Sequence, residues 1–438
     1  MALFGRKKKT VDEAPVEAAP QLPEGPEVDQ AGLRSVVAHR DYLLGLVEPL
    51  PPFGHGLLDA WGLALCEDIR SEVDLPPFDA CQMDGYAVRA SVVFGASQGE
   101  PLSLPVVETV SAGEAASRPL ATGQAIRIAT GAPLPEGADA VVPVEFTDLG
   151  TEQVKVYEAV TAGEYVRAKG SELVDGTQLL PRGEVLDARS IGLLAAAGID
   201  SVLARPRPRV VVVSIGAELV EPGRPLLQAG QIHDANGFMI AAGAKAEGCQ
   251  VWRVQVPSAD PDVVREAIND QLIRADLIIT TGGVSLEGQD VVKQVMPDLG
   301  LCDFAEVAME PGRSQGFGLI GDDKVPMLML PGNPVAAYVS FQVFVRPVIR
   351  TLMGVTPVDH EPVRCVAGSV MRSVKGKMQF GRGLVDDQAG RRTVRLLGHE
   401  QGNPLGDLAV CNALVLLPEE IDVVQAGDAV QCWILDHD

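Results

Sequence analysis

The sequence predicts a multi-domain α/β protein centred on a doubly wound, mostly parallel sheet. Three observations carry that prediction. Residues 209–214 (RVVVVS) form a continuous apolar run closed by a glycine turn, the pattern of a strand buried on both faces. From there to residue 353, strand-like and helix-like segments alternate, as parallel pairing through crossover helices requires. The composition permits such a protein. A length of 438 residues gives a prior of about three domains, 46% hydrophobic residues supply a core, and 46 Gly and 32 Pro supply turns.

Residues 1–29 read as a solvated tail, with four prolines, a basic run at 6–9 and six acids. Residues 30–69 carry helical spacing at Leu33, Val36, Val37 and 42–47, and 57–66 repeats the pattern after a Pro-Pro-Phe-Gly turn. Residues 73–84 turn extended. Residues 89–172 read as short strands, such as 102–109 and 153–159, which predicts a small β domain inserted into a helical–extended one. Residues 187–197 form a short helix that Asp187 caps and Gly198 ends.

Within the central domain the reading is strand 209–214, helix 236–248, strand 249–256, helix 261–274, strand 275–281, helix 290–297, strand 325–330 and the apolar helix 335–353. From residue 357 the chain reads as all-β, with turns near Gly376, Gly390, Gly406 and Gly427.

Several function classes are disfavoured. Thirty-six basic against 59 acidic residues leave a net charge of −23, which argues against a nucleic-acid surface. The seven cysteines contain no CxxC, and the six histidines show no metal-ligand spacing, so neither a disulfide framework nor a zinc ribbon is expected. No apolar run approaches 20 residues and residues 1–10 lack a following apolar stretch, so the expectation is a cytoplasmic protein without membrane span or secretory signal.

In open α/β sheets ligands bind beyond the carboxyl ends of the strands. Three turns fall there: 214–218 (SIGAE), 280–285 (TTGGVS) and 331–334 (PGNP). Glycines let backbone N–H groups approach phosphate oxygens, and a helix N-terminus adds positive partial charge, so the turns suggest a phosphate cradle. The dinucleotide fingerprint and the P-loop are both missing. Carboxylates share these loops at Glu218, Asp234, Asp260 and Asp290. Beside phosphates they suit Mg²⁺; the competing reading is helix capping, most of all for Asp234 and Asp290. Two more motifs lie earlier, Asp84 within MDGY and Thr130 within ATGA, each equally readable as a structural turn.

Together these segments closely resemble the molybdopterin molybdotransferase (MoeA) family, which includes the C-terminal domain of gephyrin. The resemblance spans about residues 30–432 and rests on FDACQMDGYAVRA, IATGAPLPEGADAVVPVE, EYVRAKG, GQIHDAN, ADLIITTGGVS, VAMEPG and LPGNPVAAYVSF. It implies a helical–extended domain split over 30–72 and 173–206, a lid domain at 73–172, the sheet domain at 207–353 and a C-terminal β-barrel at 354–438. It also implies a homodimer whose cleft lies between one protomer's sheet domain and the other's lid. The implied partners are molybdopterin adenylyltransferase and molybdoenzyme apoproteins, with no nucleic acid and no membrane. The implied reaction inserts molybdate into adenylylated molybdopterin with release of AMP and uses Mg²⁺. Carried over by motif, Asp84, Thr130, Glu218, Asp234 and Asp290 are catalytic. Gly282, Gly283, Ser285, Arg313, Pro331, Gly332, Asn333 and Pro334 bind the substrate, and Glu218, Asp260 and Asp290 hold the metal.

The sequence departs from the family pattern at Ile215 and Ala217 of TGDE, at Ala259 of the Asp pair, and at Glu287 and Gly288 beyond the glycine turn. Glu310 replaces the usual Lys or other non-acidic residue of KPGKP, Ser314 replaces the second Pro, and Lys377 and Gln379 stand where Arg and Glu are common. An acid at 310 beside Arg313 is expected to weaken molybdate binding. Two readings follow: an active insertase with a modified oxyanion pocket, or an impaired paralogue acting as a molybdopterin-binding or dimeric scaffold.

Overall fold

The computed structural model describes residues 21–284, 290–388, 390–398 and 404–435. The chain divides into two compact units, Pro52–Arg205 and Pro206–Asp438 with Met1–Pro51.

The first unit holds a five-stranded sheet in the order Ala140–Pro143, Gly85–Val88, Ala125–Ile128, Leu102–Val110, Gln153–Val156. Alternation buries both faces: Tyr86 and Val88 join one core, Ala87 another. Two strand pairs flank it, Phe53–Gly56 with Ser201–Ala204 and Ile69–Arg70 with Gln178–Leu180. Asp187 does cap the helix Ala188–Ala196, accepting from Ser190 N at 2.8 Å, and that backbone bond draws its carboxyl down to about 2. Residues 57–66 are not helical. Their amides pair with a distant segment instead, Gly62 with Leu186 O and Leu65 with Glu184 O, and Gly62 takes φ +76°.

In the second unit six strands form one sheet: β1 (Arg209–Ile215), β2 (Gln250–Val256), β3 (Leu277–Thr281), β4 (Gly300–Glu306), β5 (Ser314–Ile320) and β6 (Val325–Leu330). Their order is β2-β1-β3-β6-β5-β4. Strands β2, β1, β3 and β6 are parallel, and β5 is antiparallel to both neighbours. The sequence reading missed β4 and β5, which lack a long apolar run because β4 is only half-buried.

Helices α1 (Asn236–Ala246), α2 (Pro261–Leu272), α3 (Val291–Leu299) and α4 (Pro334–Met353) follow the parallel strands. Val264 and Ile268 of α2 and Val292, Val295 and Met296 of α3 share a core with Val211 and Val213 on one sheet face. The opposite face carries Ser214, against which Gly237 of α1 packs so closely that a Cβ would stand 2.3 Å from its Oγ. Helix α4 has a π-helical segment at Phe341–Val345, where the Phe341 ring lies over Gly243 of α1. It is long and apolar enough to span a membrane, with mean hydropathy 1.2, but 83% of that window is buried inside the fold.

The helix Val36–Gly45 packs on α4, with His39 edge-on to Phe344 at 5.1 Å. The expected tail falls mostly outside the described residues. Its described end is tied down: Tyr42 donates to Pro23 O, and Asp29 accepts from the Leu33 amide at 2.8 Å.

The C-terminal strands Met378–Gln388, Arg391–Leu396, Val363–Ala367, Ala429–Ile434 and Ala413–Leu417 pair in a closed five-membered ring, a small β-barrel. One helix interrupts the all-β reading, Leu405–Val410, and it contains the expected turn glycine Gly406. Gly376, Gly390 and Gly427 do take positive φ.

Candidate functional site

The order β2-β1-β3 reverses direction at β1, and a ligand crevice is expected where the chain leaves β1 and β3 on opposite sides. A cleft of about 520 Å³ opens there. All four parallel strands feed it: Gly216–Glu218 after β1, Ser258 and Ala259 after β2, Gly282 and Gly283 after β3, Pro331 and Gly332 after β6. Its far wall comes from Gly312, Arg313 and Ser314 ahead of β5.

The glycine turn is sterically obligatory. Gly282 (φ +89°) donates to Leu330 O, and a Cβ on it would sit 2.7 Å from Ile215 O. Gly283 (φ +75°) would collide with Val292 at 2.6 Å. Ser285, Glu287 and Gly288 lie outside the described residues. Asn333 caps α4 by accepting from Val335 N and Ala336 N at 3.0 and 3.1 Å, and Pro334 opens that helix. Neither lines the cleft; both hold Pro331 and Gly332 in place. Asn236, which the sequence reading did not single out, donates to Gly332 O at 2.7 Å and ties α1 to the same turn.

The carboxylates separate into two kinds. Asp234 is buried, accepts from Gly237 N at 2.8 Å and pairs with Arg253 at 3.2 Å. Arg253 also pairs with Glu221 and stacks on Phe238 at 3.9 Å. Asp260 caps α2 through Asp262 N at 2.9 Å. For these two the capping reading holds, their carboxylates are committed to structure, and neither lines the cleft. Asp290 differs. It stands at the N-cap of α3 without making a cap bond, and its Oδ2 is buried with no hydrogen-bond partner among the described residues. Glu218 lines the same cleft, folded back over Gly216. Of the expected metal set, Glu218 and Asp290 line the cleft, and Asp260 is not among the described lining residues. Among the described residues no group of three or more His, Cys, Asp or Glu is placed to hold a metal.

Arg313 is the one cation among the described cleft-lining residues. Its acidic neighbour is Glu306, at 2.5 Å, and not Glu310. Glu310 turns toward the barrel and pairs with Lys377 at 3.5 Å, which corrects the expectation that it sits beside Arg313. The acid that the departure at 310 introduces meets the positive charge of Lys377, a position where the family pattern also carries a cation.

In the other unit Asp84 Oδ1 accepts from both the amide and the hydroxyl of Thr130, each at 2.8 Å. The Thr130 amide, then its hydroxyl, hold the exposed carboxyl below its usual range. The structure thus brings these two residues together on adjacent exposed loops, one before Gly85–Val88 and one after the paired strand Ala125–Ile128.

A doubly wound sheet with glycine turns lining a cleft at its switch point is the arrangement in which open α/β proteins bind their ligands. Residues 34–198 match the family model "MoeA N-terminal region (domain I and II)", and residues 211–351 match "Probable molybdopterin binding domain". The chain is 41% identical to molybdopterin molybdenumtransferase 2 of Mycobacterium tuberculosis over 92% of its own length and 100% of the relative's. It is 31% identical to the molybdopterin molybdenumtransferase of Bacillus subtilis over 85% and 87%. Among solved structures, a molybdopterin biosynthesis MoeA protein from Pyrococcus horikoshii superposes with a TM-score of 0.76 at 27% identity, covering 92% of this chain and 100% of that one. The chain belongs to the molybdopterin molybdenumtransferase family. None of the relatives named here is described as a scaffold.

Proposed function

We propose that the protein is a molybdopterin molybdenumtransferase of molybdenum cofactor biosynthesis, which takes adenylylated molybdopterin and molybdate, releases AMP and leaves molybdenum on the dithiolene. The observation that carries this reading is Asp290, which lines the same cleft as Glu218 and whose buried Oδ2 has no hydrogen-bond partner among the described residues. A buried carboxylate oxygen without a donor is costly unless a cation satisfies it. Mg²⁺ takes one or two carboxylates and completes its shell with water and substrate phosphates, so a two-carboxylate site fits it. When bound, it would neutralise charge on the phosphoanhydride being cleaved.

The chain's own residues do the rest. Gly282 and Gly283 present a turn on which phosphate oxygens approach backbone without meeting a Cβ. Glu218 and Asp290 hold the cation. Arg313 supplies positive charge for the oxyanion. Cleaving a phosphoanhydride needs positioning and charge neutralisation more than covalent help. The homodimer, the adenylyltransferase and apoprotein partners, and the cytoplasmic setting implied by the family belong to the same proposal.

Single-turnover release of AMP from adenylylated molybdopterin tests it. The protein with Mg²⁺ is expected to release AMP in a molybdate-dependent manner and to end with dithiolene-bound molybdenum. Tight substrate binding without AMP release overturns the proposal.

A further inference from the structure

The cleft's cation is already neutralised before any ligand arrives. Arg313 is 44% exposed and Glu306 15%, and their Nε and Oε2 stand 2.5 Å apart. The contact is ionic only, because that Oε2 is buried and accepts no hydrogen bond among the described residues. The other carboxylate oxygen is anchored, accepting the Ser314 hydroxyl at 2.8 Å. Antiparallel pairing places Glu306 directly across from Ser314, and the Glu306 carbonyl accepts the Arg34 amide at 2.8 Å.

The Arg313 backbone is equally fixed. Its carbonyl accepts from Val307 N at 2.8 Å, and the Gly312 carbonyl accepts from buried Gln315, which also donates to buried Ser340. What remains adjustable is the exposed Arg313 side chain, held to a rigid acid by charge alone.

We propose that Glu306 is a built-in counter-anion of Arg313 that an oxyanion must outcompete, and that it thereby sets both the affinity and the charge selectivity of the oxyanion site. This deepens the molybdate reading above and rests on it. An anion that draws the guanidinium away still faces the Glu306 carboxylate, and that repulsion doubles from a monoanion to a dianion. With Glu306 beside it, Arg313 therefore gains less from the second charge of a dianion such as molybdate than it would alone. Weak binding of the free oxyanion follows directly, so that molybdate is held firmly only where further ligands, such as the dithiolene, contribute.

The test measures binding of inorganic molybdate alone, and of perrhenate, a tetrahedral monoanion, to the full-length protein by equilibrium dialysis with metal quantification. Glu306→Gln keeps a carbonyl oxygen for Ser314 and removes the charge. It is expected to tighten molybdate about tenfold and perrhenate about threefold. Unchanged or weaker molybdate binding in E306Q overturns the proposal, because Glu306 would then merely orient Arg313. Arg313→Ala separates the two failures. If R313A weakens molybdate while E306Q does nothing, the role of Glu306 alone falls. If both variants bind molybdate as the parent does, the placement of the oxyanion at Arg313 falls with it. Should E306Q fail to fold, Glu306→Asp withdraws the carboxylate by one methylene. It is then expected to give about a threefold gain, and no gain overturns the proposal equally.

Discussion

The two walls of the cleft differ in whether their charges are paired. On the wall formed after β1 and β3, Asp290 leaves a buried oxygen with no partner among the described residues, and Glu218 joins it. On the wall ahead of β5, every charge is matched: Arg313 with Glu306 and, one step back, Glu310 with Lys377. The first wall shows carboxylates with no cationic partner among the described residues. The second shows each charge with an ion-pair partner. Buried polar groups normally find partners, so the unsatisfied side is where function is to be sought first.

That contrast is breakable. Asp290→Asn should lower the rate of AMP release about a thousandfold, because it removes one of the two carboxylates proposed to hold the cation that neutralises the phosphates. The same variant should melt no lower than the parent, since a buried unpaired charge has been removed. Asp234→Ala should do the reverse. Loss of its pairing with Arg253 and Gly237 should cost about 4 kcal/mol by chemical denaturation, while the rate per folded molecule falls far less than for D290N. Equal losses of stability in the two variants would erase the distinction between them.

Acid probes the support behind the second wall. His39 is buried beside the Arg34–Asp303 pair, and Asp303 lies on β4 with Glu306. Burial first, then Arg34, hold the imidazole down at about 4 instead of 6.5. The unfolded chain therefore takes up the proton before the native one. Stability is complete above pH 6.5 and is lost as pH falls toward 4, by about 3 kcal/mol in all. His39→Gln should flatten that dependence, measured as denaturation midpoint between pH 7 and 4. The smallest effect concerns Glu310. Glu310→Lys places two cations together near the barrel and should cost about 0.5 kcal/mol. The molybdate concentration dependence of AMP release should not change, and a clear shift would return Glu310 to the oxyanion site.

Much of this was legible in the residues. The RVVVVS run, the Gly-Gly turn and the PGNP turn located the cleft, because continuous apolar strands and forced positive φ leave unmistakable local marks. The antiparallel β4 and β5 were missed, since β4 is half-buried and β5, although mostly buried, is broken by Gln315, Gly316 and Gly318 and shows no apolar run. The turns at 57–66 were misread as helix because apolar spacing is blind to amides that pair with residues far along the chain.

By itself, the sequence determined the parallel sheet and the family, both of which rest on local periodicity and ordered motifs. It could not tell a capping aspartate from one that makes no cap bond. Asp234, Asp260 and Asp290 each precede a helix, and only the assembled structure shows that two of the three carboxylates are committed and the third is not. Nor could it say which acid accompanies Arg313, because Glu306 arrives through strand pairing while Glu310, closer in sequence, turns toward Lys377. Charge partners are set by three-dimensional proximity, and separation along the chain does not encode it.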